Sequence, residues 1–282
     1  MRVLSLFDGI SCARIALERA GIQVYRYDSC EIDSAAIGIS HQNYPNINHL
    51  YDVCWLTNRD YDPPVDLLLG GSPCQGFSLA GKGLGDNDNR SRLFHEFIRI
   101  KRDCAPEWFL FENTPMSKNN LSMMTEALGV DPVMINSNLV SAQNRKRYYW
   151  TNIPIVGLPA DRNILLKDIL DPPPDGWDIV PKSHTVRASG YGSSDRHAWD
   201  VIELVRDQYN VKVFLLDDST GKTRRLTPLE LERLQTLPDN YTAGLSNYKR
   251  RQLIGNAWTV DVIAWILGFI PNPKAQSLKP ND

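Results

Sequence analysis

Cysteine is scarce in this chain: five thiols in 282 residues, at Cys12, Cys30, Cys54, Cys74 and Cys104. Their number is odd, their spacings are wide and no Cys-x-x-Cys pair occurs, so neither a disulfide framework nor a zinc site is suggested. Such a chain suits a reducing compartment, where a single thiol can be chemical. Long apolar runs are also missing. The longest, Val262 to Ile270, is far below the roughly 18 residues that a membrane span needs. Asp8 interrupts the early stretch Val3 to Phe7, so no secretory signal is read there. Nor is there an excess of charge of one sign: 31 basic residues face 33 acidic ones, a net charge of −2. Attachment to nucleic acid by bulk charge is thereby disfavoured, whereas an enzyme with one local basic face is not. Three basic clusters, Arg145-Lys146-Arg147, Lys222-Thr223-Arg224-Arg225 and Lys249-Arg250-Arg251, each read alone as solvated surface. Internal repeats, a G-x-G-x-x-G turn and a Walker lysine are absent as well, which makes a dinucleotide or a cleavable triphosphate a poor candidate ligand.

What is present is ordinary for a globular protein: 42% apolar and 23% charged residues. The first half alternates short apolar runs with helical periodicity. Strands are expected at Arg2–Phe7, Gln23–Tyr27, Val65–Leu69, Trp108–Phe111, Val133–Leu139 and Tyr148–Ile153, the last two as a hairpin pair. Helices are expected at Cys12–Ala20, Ser34–His41, Arg92–Arg102 and Leu121–Leu128. This alternation predicts an α/β fold with a parallel sheet and helices on both faces. After about residue 154 proline, glycine and serine become frequent, which reads as an irregular insert. Helical patterns return at Pro228–Leu237, with Thr227 as N-cap and Pro228 in the first turn, and at Lys249–Leu253 and Val260–Leu267. Residues 271–282 carry no pattern and read as a tail.

The first strand runs into Phe7-Asp8-Gly9-Ile10-Ser11, where a glycine allows close approach of a ligand to the backbone. Glu31, twenty-two positions after Gly9, can accept hydrogen bonds from both hydroxyls of a ribose. Asp52, after a third apolar stretch, could accept from an adenine amino group. The three together favour an adenosine-containing cofactor. Farther along, Asp66-Leu67-Leu68-Leu69-Gly70-Gly71-Ser72-Pro73-Cys74-Gln75 sets a cysteine just past a buried strand, at the edge where open α/β sheets bind ligands. A free thiol is only a few per cent ionised at neutral pH and is still the best nucleophile available. The loop Gly81–Arg90 is polar with three glycines and suits a lid. Glu112, ending the strand at Phe111, would share this edge and could share a proton with a ring nitrogen. If a strand starts at Gln143, then Gln143, Arg145 and Arg147 share a face and could bind a base edge and a phosphate.

In this order the blocks Pro73-Cys74-Gln75, Glu112-Asn113, Gln143-x-Arg145-x-Arg147, Arg225-Leu226-Thr227-Pro228-x-Glu230-x-x-Arg233-Leu234-Gln235 and Gly255-Asn256-Ala257-x-x-Val260 resemble the cytosine-5 DNA methyltransferases. The resemblance covers residues 2 to 154 and 223 to 270. The compact length, the Ser5–Ile10 start and Trp258 look most like the catalytic domain of animal de novo enzymes; the Gln-x-Arg-x-Arg block looks more like bacterial and phage members. Two departures stand out: Ser11 where a second glycine is usual, and Thr114 where a valine follows Glu-Asn.

The resemblance implies a Rossmann-like fold that binds S-adenosylmethionine and methylates a cytosine swung out of duplex DNA. It implies Cys74 as nucleophile on ring carbon six, Glu112 on ring nitrogen three, Arg147 at the base oxygen, Arg145 ordering the catalytic loop or thiolate, and Gln143 beside them. Cofactor contacts are implied for Phe7, Asp8, Gly9, Ile10, Glu31, Ile32, Asp52, Val53, Pro73, Leu93, Asn256 and Trp258. Residues 1–154 then form the cofactor-binding and catalytic domain, 155–222 a small target-recognition region, and 223–270 helices that complete the catalytic domain. Within the insert, Lys182–Arg187 and Ala188–Arg196 read as a loop entering a groove. Arg187 and Arg196 would read guanine and Ser189 or Tyr191 contact phosphate, with Lys82 a further DNA contact. No metal, membrane or obligate protein partner is implied, and a homodimer is left open. A free-standing bacterial or phage enzyme in the cytoplasm is expected, whether in restriction-modification or alone. Two other readings stand beside it: a transfer-RNA cytosine-5 methyltransferase, whose Cys-Phe-Thr block is absent here, and an inactive DNA-binding homologue, which would not need Cys74, Glu112 and the Gln-x-Arg-x-Arg block together.

Overall fold

The computed structural model describes residues 1–61, 64–73, 91–171, 181–186, 188, 203–205, 212–214, 216–217, 222–223 and 226–271. Seven strands form one sheet: β1 (Arg2–Leu6), β2 (Arg26–Cys30), β3 (Asn48–His49), β4 (Leu67–Gly70), β5 (Trp108–Asn113), β6 (Val133–Asn136) and β7 (Lys146–Thr151). Their order is β3-β2-β1-β4-β5-β7-β6. The fold is a Rossmann-like α/β fold, but the sheet is mixed. β7 runs antiparallel to both β5 and β6. The expected hairpin pairing causes the departure from a parallel sheet: β6 is parallel to β5 and the return strand β7 is inserted between them.

Residue alternation sorts the core into two layers. Val3, Leu67, Leu69 and Leu110 pack toward one face, with α1 (Cys12–Arg19), α2 (Ser34–Asn43) and α7 (Val260–Leu267). Leu4, Leu6, Leu68, Phe109 and Phe111 pack toward the other, with α3 (Ser91–Cys104) and α4 (Lys118–Leu128). Two more helices, α5 (Pro228–Leu234) and α6 (Asn247–Asn256), join the α1 layer through Leu231, Leu234, Leu253 and Ile254. The start of α5 is a capping box: the Glu230 amide donates to Thr227 Oγ1 (3.2 Å) and the Thr227 amide to Glu230 Oε2 (2.6 Å).

Several boundaries differ from the sequence pattern for physical reasons. The second strand is Arg26–Cys30, not Gln23–Tyr27. Its Asp28 reads as polar but is buried, because the equally buried Arg2 guanidinium lies 2.9 Å from it and Arg26 and Asn48 also donate to it. Tyr25, placed within the expected strand, lies before the observed one and is exposed. The strand expected to reach Leu139 stops at Asn136, whose side chain accepts from the Asn138 amide and starts a 3-10 turn. α5 ends at Leu234 instead of Leu237. Among the described residues, no helix is long and apolar enough to cross a membrane, and no group of three or more His, Cys, Asp and Glu could hold a metal ion.

Candidate active site

The parallel strands β1, β2, β4 and β5 bring their carboxyl ends to one sheet edge. Leaving β1, the chain alternates into left-handed backbone, with φ of 57° at Phe7, 58° at Gly9 and 58° at Ser11. Glycine takes this conformation freely; at Ser11 hydrogen bonds compensate for the missing glycine. Ser11 Oγ donates to Asp8 Oδ2 (2.5 Å) and lies 2.8 Å from the Ser40 hydroxyl. Ser5 Oγ (2.5 Å) and Tyr27 OH (2.6 Å) donate to Asp8 Oδ1. Burial pushes the Asp8 carboxyl above its ordinary range, and the three hydroxyls pull it partly back. Asp8 thus braces the turn through three hydroxyls.

Glu31 faces the same turn. The Gly9 amide donates to its Oε2 (2.8 Å), and the Ile32 and Asp33 amides donate to its Oε1 (2.8 Å each). A carboxylate offers about four acceptor sites, so one on Oε2 stays open. A side chain at Gly9 would meet nothing within 4 Å, which leaves space against the backbone there. Ile32 is 74% exposed and Phe7 half-buried. Asp52 caps a short 3-10 turn through the Cys54 amide (2.9 Å). The side chains of Ile10 and Val53 belong to the two core layers. Leu93 is half-buried, and Pro73 and Asn256 are exposed.

Glu112 stands at the end of β5 and is 9% exposed. Because β7 is antiparallel, its beginning lies beside the end of β5, with Glu112 opposite Tyr149 and Asn113 opposite Tyr148. Arg147 Nε therefore reaches Glu112 Oε1 at 2.9 Å. From the other side, Trp258 Nε1 donates to Glu112 Oε2 at 3.1 Å. Gly71 fills the corner between them: a side-chain carbon there would sit 3.0 Å from Glu112 Oε2, 3.1 Å from its carbonyl and 3.2 Å from the indole nitrogen. Asn113 Nδ2 donates to Ser72 O (3.5 Å), and the Thr114 hydroxyl turns to Asn113 Oδ1 (3.5 Å).

Gln143 and Arg145 do not share a strand face with Arg147, since β7 starts only at Lys146. Gln143 is fully buried; its Nε2 donates to Leu234 O (2.5 Å) and Gln235 Oε1 (2.9 Å), and its Oε1 accepts from the Val186 amide (3.2 Å). Arg145 donates to Val186 O (2.8 Å), Ala257 O (2.9 Å) and Gly255 O (3.4 Å). Both tie the segment at 181–186 and the α6–α7 junction to the sheet. That segment packs on the body: Ser183 and Val186 are buried, and the Lys182 ammonium donates to the carbonyls of Asn138, Ser141 and Ile164. The part of the expected groove loop at 182–186 therefore differs from its reading. The cluster Lys249-Arg250-Arg251 is not solvated surface either, being bonded to Asp33, Glu232 and Leu226 O. Cys74, Lys82, Arg187, Ser189, Tyr191, Arg196 and the Gly81–Arg90 loop lie outside the described residues.

A family model for C-5 cytosine-specific DNA methylases matches residues 1–154 and 174–271. The chain belongs to this family. Among curated methylase relatives, it is 29% identical over 243 residues to the orphan methyltransferase M.SPRI of Bacillus phage SPR, covering 78% of this chain and 53% of that protein. It is 26% identical over 298 residues to the type II methyltransferase M1.ScrFI of Lactococcus lactis subsp. cremoris, covering 93% of this chain and 76% of the relative. The chain spans about half the length of most of the curated relatives it matches. Solved methyltransferases share the fold. The Entamoeba histolytica methyltransferase EhMeth superposes with a TM-score of 0.76 at 17% identity, covering 95% of this chain and 97% of that one. Dnmt2 of S. pombe gives 0.68 at 18%, covering 94% and 96%.

Three features of this methylase site were not legible beforehand. Trp258 was expected to meet the cofactor, not Glu112. Gly71 was given no role of its own, yet a side chain there would crowd Glu112 and the Trp258 indole. Gln235 joins four partners at the heart of the C-terminal helices. A glycine pair directly after a buried strand was the available signal for the second; spacing offered none for the others.

Proposed function

We propose that this methylase transfers a methyl group from S-adenosylmethionine to carbon five of a cytosine in duplex DNA. The observation that carries the reading is the Glu112 carboxylate at the end of β5, held by Arg147 and Trp258 at the same sheet edge as Gly9 and Glu31. The residues present fit an adenosyl group: an open turn at Gly9, a free acceptor site on Glu31 for a ribose hydroxyl, and apolar surface at Ile32 and Phe7. S-adenosylmethionine, when bound, supplies the electrophilic methyl group.

The chain's own residues supply the rest. The target base leaves its stack, because its ring atoms cannot be reached within the duplex. Cys74 adds as thiolate to ring carbon six. Glu112 bonds or protonates ring nitrogen three, so the electron pair gathers at carbon five, which attacks the methyl group. After transfer a base removes the proton on carbon five, and the thiolate is expelled. The four described cysteines support Cys74 by contrast. Burial raises all four thiols: Cys12 to about 12, Cys104 to about 11, and Cys30 and Cys54 also above their ordinary value. None of these is a ready nucleophile. Residues 155–222 would read the target sequence, with Arg187 and Arg196 toward guanine, Ser189 or Tyr191 toward phosphate, and Lys82 as a further contact from its loop. No protein partner is required by this chemistry.

Duplex DNA carrying 5-fluorocytosine tests the reading, because fluorine cannot leave carbon five as a cation. With S-adenosylmethionine, the wild type should form an adduct that survives denaturation and Cys74→Ala should not. An adduct with fluorinated RNA only would replace the DNA substrate, and no adduct with either would reject the activity.

A further inference from the structure

We propose that Trp258 is a positioning residue for Glu112, acting through its indole N–H, and not primarily a cofactor contact. The inference rests on Glu112 engaging the cytosine. Each Glu112 oxygen has one partner in the protein: Oε1 is ion-paired with Arg147 Nε at 2.9 Å, and Oε2 accepts from Trp258 Nε1 at 3.1 Å. A carboxylate with about four acceptor sites then keeps one on each oxygen. Two parallel acceptors match what a cytosine protonated at ring nitrogen three presents: the ring N–H and one N–H of the exocyclic amine. Holding both oxygens fixes the carboxylate plane before the base arrives, so no ordering is left for the reaction itself. Arg147 alone would leave Oε2 free to rotate.

The indole is itself held in place. It lies between the end of α6 and the start of α7, with Ala257 O bound by Arg145 and Gln235 on one side and the Thr259 hydroxyl bonded to Ser137 and Gln235 on the other. Gly71 leaves no side chain between indole and carboxylate. A residue serving only as an apolar wall for an adenine would need none of these constraints on its N–H.

Trp258→Phe keeps an aromatic face and removes only the donor, so it separates the two roles. The proposal expects kcat on unmethylated genomic DNA, at saturating S-adenosylmethionine, to fall roughly tenfold or more, as for loss of a hydrogen bond to a charged group. The dissociation constant for S-adenosylhomocysteine should stay within about twofold. Weaker S-adenosylhomocysteine binding with kcat unchanged, or no change in either, overturns it. A second measurement does not depend on turnover: in the nitrogen-15 spectrum, the Trp258 indole N–H, assigned by its loss in Trp258→Phe, should move on Glu112→Ala. An unmoved signal overturns the proposal. A wild type that methylates no DNA would instead reject the reading of the site, while the indole signal still decides whether the hydrogen bond exists.

Discussion

Gln235→Leu removes the amide that joins the C-terminal helices to the sheet while keeping the side chain's size. Gln235 is fully buried and uses all its hydrogen-bonding capacity. Its Nε2 donates to Ile254 O and Ala257 O at 3.0 Å each, and its Oε1 accepts from Gln143 Nε2 and Thr259 Oγ1 at 2.9 Å each. At about 1 kcal/mol per bond the gross loss is about 4 kcal/mol. Most partners keep a second bond: Gln143 still donates to Leu234 O, Ala257 O still accepts from Arg145, and Ile254 O from the Ala257 amide. The Thr259 hydroxyl and one N–H of the buried Gln143 amide lose their acceptor, so the net cost is about 2–3 kcal/mol. At roughly 2–4 °C per kcal/mol, Tm should fall by about 4–12 °C in scanning calorimetry. Gln235→Glu should fall further, because it sets a carboxylate against two carbonyl oxygens. A drop below about 2 °C for the leucine variant would show that the network is not what secures these helices.

Glu112→Gln should preserve S-adenosylhomocysteine binding by calorimetry and cut the methylation rate at least about a hundredfold, as for loss of an acid-base group; an unchanged rate removes Glu112 from the chemistry. Asp33 caps α2 and accepts from Lys249 at 2.7 Å. Burial alone would raise its carboxyl, but Lys249 and the Ala35 amide outweigh that and hold it below its ordinary 3.8. A lowered folded-state value contributes stability that is present above the unfolded value and lost as pH falls through the folded one. Asp33→Asn keeps the cap, so wild type should exceed it in Tm by about 1–3 °C near pH 7, given solvent screening of the pair, and the gap should close below pH 3.8. A gap that persists there assigns the difference to something other than charge. Arg187→Ala should relax or abolish sequence preference in bisulfite sequencing while leaving cofactor affinity unchanged; wild-type preference moves recognition elsewhere.

Much of the sheet was readable because its signal is local. Apolar runs such as Leu67-Leu68-Leu69 and Phe109-Leu110-Phe111 admit little besides a strand buried on both faces, and the helix Val260–Leu267 was delimited as observed. Thr227 and Pro228 announced α5, because capping chemistry is written in adjacent residues. What failed depends on partners far away in the chain. Asp28 reads as loop until Arg2 neutralises it. The basic triplets read as surface until Glu232, Asp33 and the carbonyls around Arg145 are brought to them. In the site, Glu31 and Glu112 were foreseeable as strand-end acids, since every parallel strand delivers its last residue to the same edge. The antiparallel β7 that brings Arg147 to Glu112, and the helix junction that brings Trp258, are long-range outcomes that no local pattern encodes.

The turn after β1 is completed by groups from the other end of the chain. Tyr241 OH donates to Ile10 O across 231 positions, Lys249 pairs with Asp33, and α7 packs on α1. During synthesis the first strand and its turn therefore emerge long before the tyrosine that supports them. Pairings of such high sequence separation make folding slow and leave the early half with an open apolar flank. A ribosome-stalled fragment ending near residue 200 should consequently lean on chaperones, and the turn at Gly9 should reach its final form only after Tyr241, Lys249 and α7 have emerged.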